Sequence, residues 1–278
     1  MDSIITFFIP ENPDITKLNQ TVSAKTLEFY KQNSNPTTPE FTAVGDKKRV
    51  VYQNRFTPFP VVVMVVGIST LAYLACTGDH LLVIASLIFS FFYYDIFSGA
   101  LHVVLDNPNF IDMPLLGDSC LEFQWHHHIP TDITSKSYLE VCGDLNATVF
   151  YSLVVFLHPW SFGLRNKTAF ALMAGKVLMA YFGQFCHRMS HTPAHRRPAY
   201  VQMLQDYGVM ISAAEHGVHH KTYDGNFCIG SGLFNPMLTW IIKQNIINQW
   251  GFLVIFLSML VFDVPVTNYL CTQYAGFP

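Results

Sequence analysis

Histidines recur in short clusters along this chain, and the spacing within each cluster brings imidazoles together. His216, His219 and His220 are three and four residues apart, so on a helix they share one face. His187 and His191 have the same four-residue spacing. A neutral imidazole binds Fe, Zn, Cu or Ni well, so side chains placed in this way can hold a metal ion jointly. The clusters therefore predict a metal site.

Two further segments add to the candidate ligands. His102 and Asp106 place an imidazole and a carboxylate one helical turn apart. Residues 126–128 form a His-His-His run, of which one member must point away from the others. A single histidine at a helix end is more often a cap or a solvated side chain, so only the joint placement of all the clusters indicates a metal.

The ligand types narrow the identity of the metal. About eight imidazoles, with or without a carboxylate, are too many for one tetrahedral zinc ion. Two metal ions use such a set more economically, and a nitrogen-rich set favours redox-active iron. The six cysteines are scattered without a Cys-x-x-Cys pair, which argues against a thiolate zinc site. We therefore expect a dinuclear iron centre, which suits oxygen activation and attack on an unactivated C–H bond.

The composition is typical of a membrane protein. Of the 278 residues, 51% are hydrophobic and 13% are charged, whereas soluble domains carry about 25% charged residues. The net charge of −3 leaves no basic surface for nucleic acid. Residues 1–50 are polar and are predicted to form a mobile tail without a signal or transit peptide, ahead of a membrane-embedded domain at residues 51–278.

Apolar runs locate the helices that cross the bilayer, since a span needs roughly 20 mostly apolar residues. Four runs qualify: residues 56–78, 81–105, 145–164 and 168–186. A fifth run, residues 244–262, either spans the membrane or lies in the interface. We therefore expect an all-α integral membrane protein with about four transmembrane helices, and five as the open alternative.

Two helical hairpins place the clustered histidines on one membrane face, because the clusters follow the second and fourth runs. Basic residues between positions 47 and 55 precede the first run, which favours a cytosolic N-terminus and a cytosolic histidine face. Arg165 and Lys167 fall on the opposite side and weaken this assignment. Three histidines lie outside the predicted site: His80, His158 and His195.

Asp95 lies inside the second apolar run, where a carboxylate is costly and needs a partner. It shares a helical stripe with Gly99, His102 and Asp106. We therefore expect Asp95 to orient a ligand histidine from outside the coordination sphere. A structural ion pair with Lys176, in the fourth run, is the alternative.

The chain also contains five motifs in a recognisable order between residues 94 and 235. They are SGALHVVLDN, FQWHHHIPTDIT, CHRMSH, LQDYG and EHGVHHKTYDGNFCIGSGLFN. Together they resemble the lipid desaturase family, which includes animal plasmanylethanolamine desaturases and plant fatty acid desaturase 4. The resemblance implies nine metal ligands: His102, Asp106, His126, His127, His187, His191, His216, His219 and His220. His128 is extra to the family pattern, and Glu215 and Asn226 in the last motif are expected to support the ligands.

The resemblance also implies cofactors and partners. These are two iron ions, molecular oxygen, an external electron donor such as cytochrome b5, and a phospholipid substrate, with no catalytic residue beyond the metal centre. The expected location is the endoplasmic reticulum, with the histidines facing the cytosol.

The substrate has two candidates within this family. We expect desaturation of the alkyl ether chain of plasmanylethanolamine to the vinyl ether. Glu215, where animal members tend to have histidine, and the NFC motif lean instead to the plant branch, so a phospholipid-bound acyl chain is the alternative. A hydroxylase of the same geometry and a non-enzymatic metal transporter are further alternatives.

Overall fold

The computed structural model describes residues 58–107, 132–158, 166–222 and 225–274, with isolated positions between 110 and 130 that include His126 and His127. The α-helices are α1 (Pro58–Cys76), α2 (His80–Leu105), α3 (Asp132–Ser135), α4 (Tyr138–Gly143), α5 (Asn146–Leu157), α6 (Lys167–His191), α7 (Ala199–Asp206), α8 (Ala213–Thr222), α9 (Asn235–Lys243) and α10 (Gln249–Tyr274). A short 3-10 helix, Ala194–Arg196, follows α6. The described residues contain no strand, so the expected all-α class is confirmed. The predicted tail, and the start of the domain at residue 51, lie outside them.

Among the described residues, four helices are long and apolar enough to cross a membrane: α1, α2, α6 and the part Gln249–Leu270 of α10. The first three coincide with predicted runs. For the fifth run, residues 244–262, the sequence leaves open whether it spans the membrane or lies in the interface. Its helix α10 can span, by length and composition. Exposed apolar side chains such as Val62, Leu81 and Val254 cover the outer faces of these helices, as a lipid environment requires.

The third predicted run, residues 145–164, does not form the expected spanning helix. α5 has 12 residues, or about 18 Å of helix, against the roughly 30 Å of a bilayer core. It ends where His158 precedes Pro159 and takes an extended ψ of 145°. The chain still reaches the opposite end of the bundle, because Lys167 Nζ at the start of α6 lies 2.9 Å from Asp79 Oδ2 in the α1–α2 turn.

α6 is the central helix and packs against α1, α2 and α10. A glycine allows its close approach to α2, since a Cβ on Gly183 would overlap the ring of Tyr94. The C-terminal ends of α2 and α6 consequently lie side by side. The ring centroids of His102 and His187 are 5.6 Å apart there.

α10 is joined to its neighbours by polar contacts as well as apolar ones. Lys176 Nζ of α6 lies 2.7 Å from Asp263 Oδ2 of α10, and both side chains are largely buried. The partner of Lys176 is thus Asp263, and the alternative pairing with Asp95 is wrong. Asn107 Nδ2 donates to Gln249 Oε1, so α10 begins at the end of the bundle that carries the histidines.

Candidate metal centre

Four segments of the chain build the histidine end of the bundle. The end of α2 supplies His102, with Asp106 just after it, and the end of α6 supplies His187 and His191. The helical positions 126–127 add two imidazoles, and α8 adds three. All nine predicted ligands are brought together here, in two groups and one intermediate histidine.

The larger group consists of imidazoles alone. One ring nitrogen from each of its members lies within 4.8 Å of the others: His126, His187, His191, His216 and His220. His216 Nε2 is 2.8 Å from His191 Nε2 and 3.1 Å from His220 Nε2. Nε2 of His126 and of His187 is buried without a hydrogen-bond partner among the described residues. Nitrogen atoms that converge in this way, with no acceptor between them, fit the coordination of a cation.

The smaller group adds a carboxylate. Ligand atoms of Asp106, His127 and His219 lie within 4.8 Å of one another. Asp106 Oδ1 is 2.9 Å from His127 Nε2, and Oδ2 is 3.2 Å from His219 Nε2. Burial works to raise the pKa of Asp106, but the contacts with His127 and His219 outweigh it and hold that pKa well below the usual range. The carboxylate is therefore ionised, which is the state in which it binds a metal.

His219 has its ring orientation fixed by the protein. Its Nδ1 lies 2.9 Å from the carbonyl oxygen of Gly225, which can only accept, so Nδ1 carries a proton and donates. In a neutral ring, Nε2 then directs a lone pair at Asp106 Oδ2. Two acceptors in contact repel unless a proton or a metal ion lies between them. This geometry fits a metal held by His219 and Asp106.

His102 lies between the two groups. Its ring centroid is 5.6 Å from that of His187 in the larger group and 5.6 Å from that of His219 in the smaller one. Its Nδ1 donates to the carbonyl oxygen of Ser98 at 3.1 Å, which leaves the Nε2 lone pair facing inwards. That Nε2 is buried and has no hydrogen-bond partner among the described residues.

Burial and neighbouring groups favour the neutral imidazole at three of these histidines, His126, His216 and His220. Burial lowers the pKa of His126 well below its usual value, and neighbouring histidines, His191 foremost, lower it further. Burial likewise lowers the pKa of His216. The pKa of His220 falls to about 2 through burial and the proximity of His127. Neutral imidazole is the form that binds a metal.

Asp95 is fully buried on α2, and its carboxylate accepts hydrogen bonds from a loop between α8 and α9. Oδ1 accepts from the backbone N–H groups of Ser231 at 2.7 Å and Gly232 at 3.0 Å. Oδ2 accepts from the N–H of Phe234 at 3.2 Å. These contacts are to backbone rather than to a histidine, so any effect of Asp95 on the ligands passes through the loop.

Glu215 and Asn226 also hold this loop. Asn235 Nδ2 donates to Glu215 Oε1 at 2.9 Å, and Asn226 Nδ2 donates to the carbonyl oxygen of Glu215 at 3.2 Å. Asn226 has a positive φ of 57°, which asparagine tolerates better than most residues. Both side chains thus tie the loop to α8, the helix that carries three ligands.

Sequence reasoning missed Ser98. Its hydroxyl donates to the carbonyl oxygen of Asp95 at 2.8 Å and accepts from the N–H of Ile229 at 3.1 Å, while its carbonyl holds His102. The sequence spacing could have identified it, because Ser98 is one helical turn from both Asp95 and His102, which share one face of α2. A serine there can join the loop to a ligand.

The remaining histidines are placed away from the centre. His80, His158 and His195 are exposed. His80 begins α2 at the opposite end of the helix from His102. The prediction that His128 is extra concerns a residue outside those the structure describes.

An amphipathic cavity opens beside the histidines, and His126 and His187 form part of its wall; its empty space, including the open mouth, is about 630 Å³. Its apolar lining includes Leu101, Leu105, Phe123, Ile133 and Leu145. Its polar lining includes Lys136, Asp144, Thr148 and Gln184. A molecule with an apolar chain and a polar group fits this lining.

Comparison with known proteins gives these residues a family context. The family model of the lipid desaturase domain matches residues 91–261, which is more than half of the chain. Fatty acid desaturase 4, chloroplastic, of Arabidopsis thaliana is 29% identical over 145 residues, covering 52% of this chain and 44% of that protein. Plasmanylethanolamine desaturase 1 of Mus musculus is 27% identical over 157 residues, covering 51% of this chain and 54% of that protein.

A bacterial relative is more distant still. Plasmanylethanolamine desaturase of Myxococcus xanthus is 24% identical over 164 residues, covering 58% of this chain and 57% of that protein. The chain spans about half the length of the curated relatives it matches. No solved structure matches it. The region matched by the family model contains all nine predicted ligand residues, and the chain belongs to the lipid desaturase family.

Proposed function

We propose that this protein is a membrane di-iron enzyme that uses oxygen to introduce a double bond into a phospholipid chain. The observation that carries the proposal is the arrangement of seven imidazoles and Asp106 in two adjoining groups, with the imidazole of His102 between them, beside an amphipathic cavity. Two groups of ligands suit two metal ions, and the nitrogen-rich donor set suits iron. The family match supports desaturation as the reaction.

The reaction needs an oxidant and an electron donor. Desaturation removes one hydrogen atom from each of two adjacent carbons and leaves a C=C bond. Reduction of one O2 to two water molecules takes those two hydrogens together with two electrons and two protons. Bound iron would supply the oxygen-activating chemistry, and an external donor such as cytochrome b5 would supply the two electrons.

The protein's own residues have separate tasks in this scheme. The carbonyls of Ser98 and Gly225 fix the rings of His102 and His219, so that Nε2 of each faces the centre. The cavity holds the chain against His126, and its apolar lining excludes water from the reacting carbons. No acid or base beyond the metal ligands is required.

The preferred substrate is the alkyl ether chain of plasmanylethanolamine, which would become the vinyl ether of a plasmalogen. The mouse and Myxococcus relatives are named for that substrate. The alternative is a phospholipid-bound acyl chain, and the relatives named fatty acid desaturase 4 favour it. Both substrates carry a polar head and an apolar chain, which agrees with the amphipathic cavity.

A cytosolic site in the endoplasmic reticulum is the proposed location. α1 begins at the same end of the bundle at which α2 ends, so the chain preceding α1 and the histidines share a side. Basic residues between positions 47 and 55 precede α1, which favours the cytosol for that side.

A metal transporter fits less well. Transport would need free polar ligands inside the spanning helices. Asp95 is bound to three backbone amides, and Lys176 is paired with Asp263. Neither side chain is available to pass a metal ion along.

The test combines metal analysis with lipid profiling. Purified protein should hold about two irons per chain, and cells that lack the enzyme should regain vinyl ether phospholipid when it is expressed. His191→Ala should abolish the product, whereas His195→Ala, one turn beyond α6 and exposed, should not. Stoichiometric zinc without iron would refute the di-iron proposal, and an unsaturated acyl chain in place of the vinyl ether would select the alternative substrate.

A further inference from the structure

A second, apolar cavity lies deeper in the bundle, between α2, α5 and α6. Its empty space, including the part open to solvent, is about 350 Å³, and its lining includes Phe97, Thr148, Val149, Val177 and Ala180. Thr148 also lines the cavity beside the histidines, so the two cavities adjoin at this residue. We call them together the chain channel.

The deep end of the chain channel is closed by polar contacts to α10. The Lys176–Asp263 ion pair is one of them. Tyr93 Oη donates to the carbonyl oxygen of Met259 at 2.7 Å, and Ser152 Oγ donates to that of Leu260 at 3.3 Å. Tyr93, Ser152 and Lys176 all line the deep cavity. A set of polar groups that are bound to one another makes a floor that an apolar chain end cannot displace without breaking buried hydrogen bonds.

The distance from the histidines to this floor is close to the thickness of one lipid leaflet. Lys176 is 11 positions before His187 on α6, which is about 16 Å along the helix axis. That is close to half of the roughly 30 Å hydrocarbon core, the thickness of one leaflet. An extended chain that starts at the histidines would therefore reach the floor near the bilayer midplane.

We propose that the chain channel binds the apolar chain of the substrate with its methyl end against the Tyr93–Lys176–Asp263 floor, and that this floor sets the longest chain accepted. The inference rests on the proposed desaturase function for the identity of the ligand. Its physical basis is the apolar lining, the contact with His126 and His187 at one end, and the closed polar end at the other.

Two valines on α5 provide a matched pair for the test. Val149 is buried and lines the deep cavity, while Val154 is 45% exposed on the outer face of the same helix. Purified full-length variants Val149→Phe and Val154→Phe would be incubated with phosphatidylethanolamine vesicles that carry a graded series of saturated chain lengths. Bound lipid would then be identified by mass spectrometry and iron content measured.

Val149→Phe should lower the ratio of longest to shortest bound chains by about tenfold, since overfilling a packed space excludes the last carbons. Val154→Phe should leave that ratio and the iron content unchanged. The proposal is overturned if Val149→Phe retains iron and binds chains with the wild-type length distribution, or if Val154→Phe shifts the distribution equally.

A second variant covers the case in which Val149→Phe does not accumulate. Val149→Ala enlarges the channel and should admit longer chains, and an unchanged distribution would overturn the proposal. The bound-lipid measurement needs no turnover. Wild-type protein that selects chain length but yields no unsaturated product would refute the desaturase function while leaving the chain channel supported.

Discussion

Replacing Asp95 by asparagine tests how a carboxylate inside the membrane supports the metal centre from a distance. Asp95 holds the loop of residues 229–234 through three backbone N–H groups. The same loop segment follows Gly225, whose carbonyl oxygen fixes the ring of His219. We expect Asp95→Asn to weaken metal binding by the group formed by Asp106, His127 and His219.

The expected loss of metal affinity can be estimated from the hydrogen bonds of Asp95. An asparagine can keep the two N–H bonds at Oδ1, but its NH2 group then faces the N–H of Phe234 as a second donor. Loss of one hydrogen bond to a charged group costs about 1.5–3 kcal/mol, which is about 10–150-fold in an equilibrium constant. Loss of an outer partner of a metal ligand typically costs about 10–100-fold in metal affinity or activity, and the two ranges agree.

The assay is a chelator titration followed by elemental analysis of the metal that remains. Asp95→Asn should lose about one of two metal ions at a chelator concentration that leaves the wild type fully loaded. The carbonyl oxygen of Gly225 holds His219, a member of the smaller group, so the larger, all-imidazole group should keep its metal. Asp79→Asn is a matched control, since Asp79 lies at the other end of α2 and pairs with Lys167.

Two results would refute this reasoning. If Asp95→Asn retains both metals with wild-type affinity, the loop does not position His219. If both metals are lost in parallel, or if Asp79→Asn behaves in the same way, the effect is a general loss of stability.

Three further predictions follow from the same geometry. His187→Ala should remove much of the bound metal because it deletes a member of the all-imidazole group, and unchanged elemental analysis would contradict this. Metal-free protein should lose stability as pH falls below about 6.5, because His126 and His220 bind fewer protons when folded than when unfolded. Thermal unfolding that does not depend on pH between about 8 and 5 would exclude this linkage. In a background without native cysteines, His195→Cys should react with an impermeant reagent from the cytosolic side and His80→Cys from the other, and labelling of both from one side would disprove the topology.

The clustering of the ligands could be predicted from sequence because it depends on local rules. Spacings of three and four residues put imidazoles on one helix face, and apolar runs fixed which helix ends meet. The partition into two groups could not be predicted in this way. It depends on how α8 and positions 126–127 lie against the ends of α2 and α6, and those contacts join residues far apart in sequence.

The errors have equally specific causes. Residues 145–164 are apolar enough to span, yet α5 ends at Leu157 because His158 precedes a proline. The support of a ligand by Asp95 stays a prediction, but its hydrogen-bond partners are backbone N–H groups more than 130 residues later in the chain, and residue types do not reveal backbone partners. The alternative pairing of Lys176 with Asp95 is wrong because the partner, Asp263, lies on α10, a helix whose position the sequence leaves open.

Because the predicted ligands come from four separate segments, a metal bound by them would cross-link the chain as well as take part in the reaction. His102 and His220 are 118 positions apart, and a covalent link closing a loop of that size would remove about 4–5 kcal/mol of chain entropy in a soluble protein. The gain is smaller here, because the spanning helices are held by the bilayer before any metal binds. A bound metal would hold the part that the bilayer does not hold, namely α8 and positions 126–127. Assembly of this end would therefore follow membrane insertion and would depend on the metal supply of the compartment that it faces.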